Sequence, residues 1–130
     1  MLTTLPGGKE TILLVEDDPA LRRMLHSSLT RLGYRVLDAA NGIEALALWR
    51  QHGSEIRLAL TDMVMPGGMT GIELGARLLK ENPKLKVIYA SGYSAEVTGK
   101  DFPLTEGVNF LSKPFQTAHL AQTVRTALDG

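Results

Sequence analysis

The sequence predicts an α/β fold built on a doubly wound, five-stranded parallel sheet with strand order 2-1-3-4-5. Five short apolar runs alternate with amphipathic segments, and this alternation is typical of repeated β/α units. Right-handed crossovers between such units produce an open sheet of this order. Four of the runs end in acidic, hydroxyl or lysine residues. These runs with their ends are 12–17, 58–62, 87–91 and 110–114.

Composition indicates an ordinary single domain. The chain has 130 residues, 14 basic and 14 acidic side chains and no cysteine, so disulfides and thiolate metal sites are excluded. Zero net charge gives no overall field toward nucleic acid or membrane, and we expect no direct contact with either. No apolar run approaches the roughly 18 residues of a membrane helix. We therefore expect a cytoplasmic protein with a linker or disordered N-terminus at 1–10 and one folded domain at 11–130.

The first β/α unit has the clearest pattern. The continuous apolar run 12–15 indicates a strand that is buried on both faces. Asp18 is a good N-cap, and Pro19 suits the first position of a helix. Four leucines at helical spacing define its buried face: Leu21, Leu25, Leu29 and Leu32. Gly33 then ends the helix.

Later units repeat the pattern with shorter signals. Strands are expected at 34–39, 58–61, 85–90 and 108–112. Helices are expected after Asn41-Gly42, after the loop 63–71, and over 116–128. The stretch 92–107 contains glycines and a proline, so it predicts at most a short, irregular turn of helix.

Polar residues at the strand ends predict the functional site. In an open parallel sheet, ligands bind at the carboxyl ends of the strands, where the strand order reverses. This rule brings five side chains to one rim: Glu16, Asp17, Asp62, Ser91 and Lys113. Carboxylates are the ligands that Mg2+ prefers, and a lysine and a hydroxyl suit a phosphoryl group. The rim therefore predicts a magnesium and phosphoryl site.

Each of these residues also has an ordinary structural interpretation. Acids after a strand commonly cap a helix, but Asp18 alone is sufficient for that. A lysine is most often a solvated surface residue, although Lys113 stands at a strand end between Ser112 and Pro114. Asp62 is the candidate nucleophile, since phosphoryl transfer depends mostly on positioning and electrostatics. The arginines at 22, 23, 31 and 35 are interpreted as a solvated face.

Four motifs taken together carry a family resemblance. They are Val15-Glu16-Asp17-Asp18-Pro19, Asp62-Met63-Val64-Met65-Pro66, Ser91-Gly92 and Lys113-Pro114-Phe115. In combination they resemble the receiver domain of two-component response regulators, a flavodoxin-like (βα)5 fold, over roughly 11–128. The chain departs from the usual pattern in three places: Glu16 replaces the commoner aspartate, Gly67 and Gly68 lengthen a loop, and 94–106 is interrupted by glycine and proline.

The resemblance implies a phosphorelay function with Mg2+ as cofactor. Asp62 would be the phosphoacceptor, and a sensor histidine kinase or a histidine phosphotransfer protein would be the donor. Asp17, Asp62 and the backbone carbonyl of Val64 would bind the metal directly. Glu16 would act on the metal through a water molecule.

The same resemblance implies the remaining roles. Ser91 and Lys113 would bind the phosphoryl oxygens, and Ser91 and Phe110 would be the switch residues. Val64 and Tyr93 would control access of the hydrolytic water, and their apolar and aromatic character predicts a long-lived phosphoaspartate. The last strand and helix form a candidate dimer face or docking face.

Two other functions compete with this one. A haloacid-dehalogenase-type phosphatase also uses an aspartate nucleophile, but it needs a second acid two residues later, where this chain has Val64. A phosphorylation-independent scaffold predicts loss of the acidic site, whereas every expected group is present. The resemblance implies that the domain would have self-phosphorylation and autodephosphorylation chemistry, so its classification as an enzyme stays open. The linker and Ser91-Gly92-Tyr93-Ser94 resemble receivers at the C-terminal end of hybrid sensor histidine kinases.

Overall fold

A five-stranded parallel sheet carries the fold, and its strand order is β2-β1-β3-β4-β5. The computed structural model describes residues 5–64, 69–92 and 104–130. In these ranges the elements are β1 (Thr11–Val15), α1 (Pro19–Arg31), β2 (Arg35–Ala39), α2 (Gly42–His52), β3 (Ile56–Asp62), α3 (Gly71–Glu81), β4 (Lys86–Ser91), β5 (Phe110–Ser112) and α4 (Thr117–Asp129). The fold class and the predicted strand order are confirmed.

The strand register aligns the carboxyl ends of the sheet. Val15, the last residue of β1, pairs with Ala39 on one side and with Thr61 on the other. Asp62 ends β3 and pairs with Ala90. Because all these strands run parallel, the residues that follow them emerge at the same rim.

Local capping fixes where the first helix begins. The Asp18 carboxylate accepts hydrogen bonds from the backbone N–H groups of Ala20 at 3.0 Å and Leu21 at 3.3 Å. Pro19 occupies the first helical position, where the absence of an N–H costs nothing. Asp18 is therefore committed to capping, as the sequence predicted, and its neighbours Glu16 and Asp17 are left for another use.

The core lies on both faces of the sheet. Successive β1 side chains point to opposite faces, so Ile12 and Leu14 join one cluster while Leu13 and Val15 join the other. The first cluster includes side chains of α1 and α4: Leu25, Leu29, Leu120 and Val124. The second includes side chains of α2 and α3: Ala45, Leu46, Trp49, Leu74 and Leu78. This two-sided burial explains the continuous apolar run of β1.

A third, smaller cluster joins β4 to α3. Tyr89 packs with Met63 and Phe110, and its ring lies against Gly75 of α3. A Cβ atom at Gly75 would lie 3.0 Å from Cζ of Tyr89 and even closer to its hydroxyl. Burial raises the pKa of Tyr89 to about 12. The glycine thus leaves the space in α3 that the tyrosine ring occupies.

Residues 7–10 lie against the folded unit, although they form neither helix nor strand. The Gly8 N–H donates to the carbonyl of Leu32 at 3.2 Å. Arg125 of α4 donates to the carbonyl of Gly7 at 3.0 Å and forms an ion pair with Glu10 at 2.8 Å. The boundary between a linker at 1–10 and a domain at 11–130 stays a prediction.

The predicted start of the last strand is wrong by two residues. Val108 belongs to a turn in which its N–H donates to the carbonyl of Thr105 at 3.0 Å, and Gly107 has a φ of +80°. The strand therefore begins at Phe110. Most of the stretch 92–107, which was predicted to be irregular, lies outside the described residues. Within the described ranges, none of the helices is long and apolar enough to cross a membrane.

Substitution of Gly33 by alanine should destabilise the protein by about 1–3 kcal/mol. Gly33 has a φ of +103°, and a Cβ there would lie 2.5 Å from the carbonyl oxygen of Gly8. Gly92→Ala is the matched control because a Cβ at Gly92 meets nothing within 4 Å. Urea unfolding measures both variants. Equal stability of the two would contradict the strain assigned to Gly33.

Candidate metal and phosphoacceptor site

Three carboxylates meet at the rim of the sheet. One oxygen each from Glu16, Asp17 and Asp62 forms a group whose members lie within 4.8 Å of one another. Glu16 and Asp62 are 2% and 9% exposed, whereas Asp17 is not buried. Carboxylates this close repel one another unless a cation neutralises them. The structure thus brings together the three acids that the sequence predicted.

Lys113 supplies one positive charge to this group. Its Nζ lies 2.7 Å from Oε1 of Glu16 and 3.4 Å from Oδ1 of Asp62. Lys113 follows the edge strand β5, and its peptide bond to Pro114 is cis. Burial alone would lower the pKa of Lys113, but hydrogen bonding to Glu16 and the charges of Asp62 and Glu16 outweigh burial, so the pKa is raised. The lysine is therefore a permanent cation at neutral pH.

One lysine does not balance three acids. Burial raises the pKa of Asp62 to about 6. The charge of Lys113 acts in the opposite direction, while the charge of Glu16 and a hydrogen bond with Asp17 raise the pKa further. The site therefore favours a second positive charge beside Asp62.

The chemistry of these donors fits Mg2+. The ion binds about six oxygens at about 2.1 Å, which places neighbouring ligand oxygens about 3–4 Å apart. The three carboxylate oxygens, within 4.8 Å of one another, need only a small approach to reach that spacing. These three acids are the residues that could hold the ion, and direct binding by Asp17 and Asp62 stays a prediction. The side chain of Val64, two residues after Asp62, is 61% exposed, and the roles predicted for its carbonyl and side chain stay predictions.

The backbone N–H, the carbonyl and both carboxylate oxygens of Glu16 all form hydrogen bonds. Its N–H donates to the carbonyl of Ala39 at 3.0 Å, and its Oε2 accepts from the N–H of Asp18 at 3.1 Å. Its Oε1 accepts from Lys113, and its carbonyl accepts from Nη1 of Arg22 at 2.9 Å. Arg22 was interpreted as part of a solvated face, so sequence reasoning missed this contact. Its position one turn into the helix that follows the acids is the signal that would have found it.

The predicted switch residues lie on the two strands beyond β3, namely β4 and the edge strand β5. Ser91 ends β4, is 3% exposed, and its carbonyl accepts from the N–H of Lys113 at 2.8 Å. Phe110 begins β5 and is 2% exposed in the cluster with Met63. Tyr93, the second residue predicted to control water access, lies outside the described residues.

Comparison with known proteins agrees with this geometry. The family model described as the response regulator receiver domain matches residues 12–125. The chain belongs to this family, whose members serve two-component signalling.

Two curated relatives from Brucella abortus (strain 2308) are each 38% identical to the chain. One is the sensor kinase CckA, matched over 123 residues that are 95% of this chain and 13% of the kinase. The other is the response regulator receiver protein CpdR, matched over 117 residues that are 90% of this chain and 95% of that protein. A solved structure, the receiver domain from hybrid histidine kinase CckA, is 34% identical with a TM-score of 0.75. It covers 91% of this chain and 98% of its own. The chain thus matches nearly all of one relative but about an eighth of the other.

Proposed function

We propose that this chain is a phosphoacceptor switch in a two-component phosphorelay, in which Asp62 takes a phosphoryl group from a phosphohistidine in the presence of Mg2+. The observation that carries the proposal is the placement of Asp62. Asp62 is the last residue of β3, and its Oδ1 lies 3.4 Å from Nζ of Lys113. One of its carboxylate oxygens also lies within 4.8 Å of an oxygen of Glu16 and of Asp17. A carboxylate between a lysine and a cation site suits attack on phosphorus.

The reaction is a direct transfer. An oxygen of Asp62 forms a bond to phosphorus, the phosphorus–nitrogen bond of the donor breaks, and its electron pair returns to the imidazole, which takes a proton from solvent. When bound, Mg2+ would neutralise the developing charge on the phosphoryl oxygens. Asp17 and Asp62 would hold it directly, and Glu16 would act through water.

Lys113 and Ser91 would receive the transferred group. Lys113 contacts Glu16 and Asp62 in the structure, which supports the proposal that its ammonium binds the phosphoryl oxygens beside Asp62. The hydroxyl of the buried Ser91 offers a donor to one of these oxygens. Ser91 ends β4 and Lys113 directly follows β5, so both lie on the Phe110 side of Asp62, which supports their role in transmitting the change.

The described contacts supply a route from the site to the surface. Lys113 and Ser91 are joined by a backbone hydrogen bond, so a shift of either one pulls on β4 and β5 together. Glu106 accepts hydrogen bonds from Ser112 of β5 and contacts Nε2 of His119 in α4 at 2.9 Å. Movement of β5 would therefore reach the outer face of α4, which is also the candidate dimer face.

The relatives suggest two settings for this switch. The match to CckA supports a receiver attached to a hybrid histidine kinase, and the match to CpdR supports a free receiver. In both settings the donor is a sensor histidine kinase or a histidine phosphotransfer protein in the cytoplasm.

Incubation with acetyl phosphate and Mg2+ tests the proposal. We expect intact-mass spectrometry to show one phosphoryl addition, which is absent when EDTA replaces Mg2+ and is removed by hydroxylamine, as for an acyl phosphate. A chain that stays unmodified under these conditions would support the scaffold reading instead.

A further inference from the structure

Arg22 contacts the turn that carries the acids. Its Nη1 donates to the backbone carbonyl of Glu16 at 2.9 Å, six residues earlier in the chain. Its own backbone N–H donates to the carbonyl of Asp18 at 2.8 Å. The side chain and main chain of one arginine thus hold both ends of the segment 16–18.

The bonded carbonyl belongs to the peptide that joins Glu16 to Asp17. Rotation of this peptide would redirect Asp17, because the carbonyl and the following Cα lie in one rigid plane. Glu16 is 2% exposed, so its carbonyl needs a protein donor, and Arg22 provides one. A hydrogen bond from a charged donor such as a guanidinium is stronger than a hydrogen bond between two neutral groups.

Arg22 bonds to the backbone carbonyl of Glu16 and, in the part of the chain that the structure describes, forms no ion pair with the carboxylates of the site. Among the described residues, the ion pairs of the site are those of Lys113 with Glu16 and Asp62, and Arg22 is in none. The guanidinium therefore leaves the acid oxygens available to a cation. Surface packing alone would not require a donor aimed at this one carbonyl.

We propose that Arg22 is a positioning residue for cation binding: it fixes the Glu16–Asp17 peptide so that the Asp17 carboxylate faces Asp62. This inference rests on the proposed function, since it assumes that the acids bind Mg2+. Groups that orient metal ligands typically contribute about 10–100-fold to metal affinity. We expect the lower end of that range, because Arg22 acts through the backbone.

Calorimetric titration of Mg2+ into the full chain, without a phosphodonor, tests the inference. Arg22→Met keeps the aliphatic stem but removes the donors, and it should weaken Mg2+ binding about 10-fold. Arg22→Lys restores a charged donor and should recover part of the affinity. Arg23→Met is the matched control, being the exposed neighbour on the same helix, and should bind within about twofold of the wild type. Asp17→Asn marks the larger loss expected when a direct ligand is removed.

Two further measurements separate positioning from a merely structural role. At saturating Mg2+, phosphorylation of Arg22→Met by acetyl phosphate should return to within about twofold of the wild-type rate, since only the metal affinity has changed. A structural role would instead lower the unfolding midpoint in EDTA and leave the Mg2+ affinity of the folded protein unchanged.

Unchanged Mg2+ affinity in Arg22→Met, beside normal binding by the wild type, would overturn the inference and leave the proposed function intact. Absence of Mg2+ binding by the wild type would remove both. A 10-fold loss that Arg22→Lys partly recovers would support the positioning role.

Discussion

Asp62→Asn should take up no phosphoryl group from acetyl phosphate under conditions that fully modify the wild type. Asparagine has nearly the same shape, but its amide lacks the nucleophilic oxygen that the transfer requires. The fold should survive, because the change removes one of three crowded carboxylates from a site with one lysine. We expect the unfolding midpoint in EDTA to rise, since burial and the neighbouring Glu16 disfavour the charged form of Asp62.

Asp38→Asn is the control for this experiment. Asp38 is an acid of β2, and its exposed carboxylate lies 2.9 Å from Nδ1 of His26. Its substitution should leave phosphoryl uptake unchanged, whereas a loss in both variants would indicate a general effect of charge. Continued labelling of Asp62→Asn at the wild-type rate would show that another residue is the acceptor.

Lys113→Met should slow phosphorylation by about 100-fold or more while Mg2+ binding is retained or strengthened. Loss of one preorganised donor to a developing charge typically costs about 10²–10³ in rate. The same lysine now neutralises Glu16 and Asp62, so its removal leaves the acids more negative and more attractive to the metal. Stopped-flow phosphorylation and calorimetric Mg2+ titration measure the two effects separately.

Lys84→Met provides the matched control, because Lys84 is exposed just before β4 begins, at the opposite end of the sheet. It should match the wild type in both assays. If Lys113→Met lost rate and Mg2+ affinity in equal measure, the lysine would be maintaining the shape of the site and would not be acting on the phosphoryl group.

Local signals were sufficient to predict most of the fold. Asp18 and Pro19 mark the start of α1 because capping and proline geometry depend only on neighbouring residues. The continuous apolar run of β1 predicted a central strand, since burial on both faces leaves no position for polar residues. The start of β5 was misplaced because a turn stabilised by hydrogen bonds leaves the apolar Val108 exposed, and apolarity alone cannot show this.

The site was predictable as a set of residues but not as a set of contacts. Parallel topology brings strand ends to one rim, and this rule alone predicts that Glu16, Asp62 and Lys113 lie together. The sequence could not show that the lysine lies closer to Glu16 than to Asp62, because that depends on side-chain reach over less than one ångström. The contact of Arg22 with a backbone carbonyl could not be predicted from side-chain types, because every residue carries such a carbonyl.

The fit of Tyr89 against Gly75 restricts how this protein can diverge. A larger residue at 75 would collide with the aromatic ring, and a smaller one at 89 would leave a hole beside the helix. In related sequences, a larger residue at position 75 should therefore occur together with a smaller residue at position 89. Tyr89 also packs with Met63, the residue after Asp62. Paired substitutions at 75 and 89 would therefore alter the packing beside Asp62 without changing any residue of the site itself.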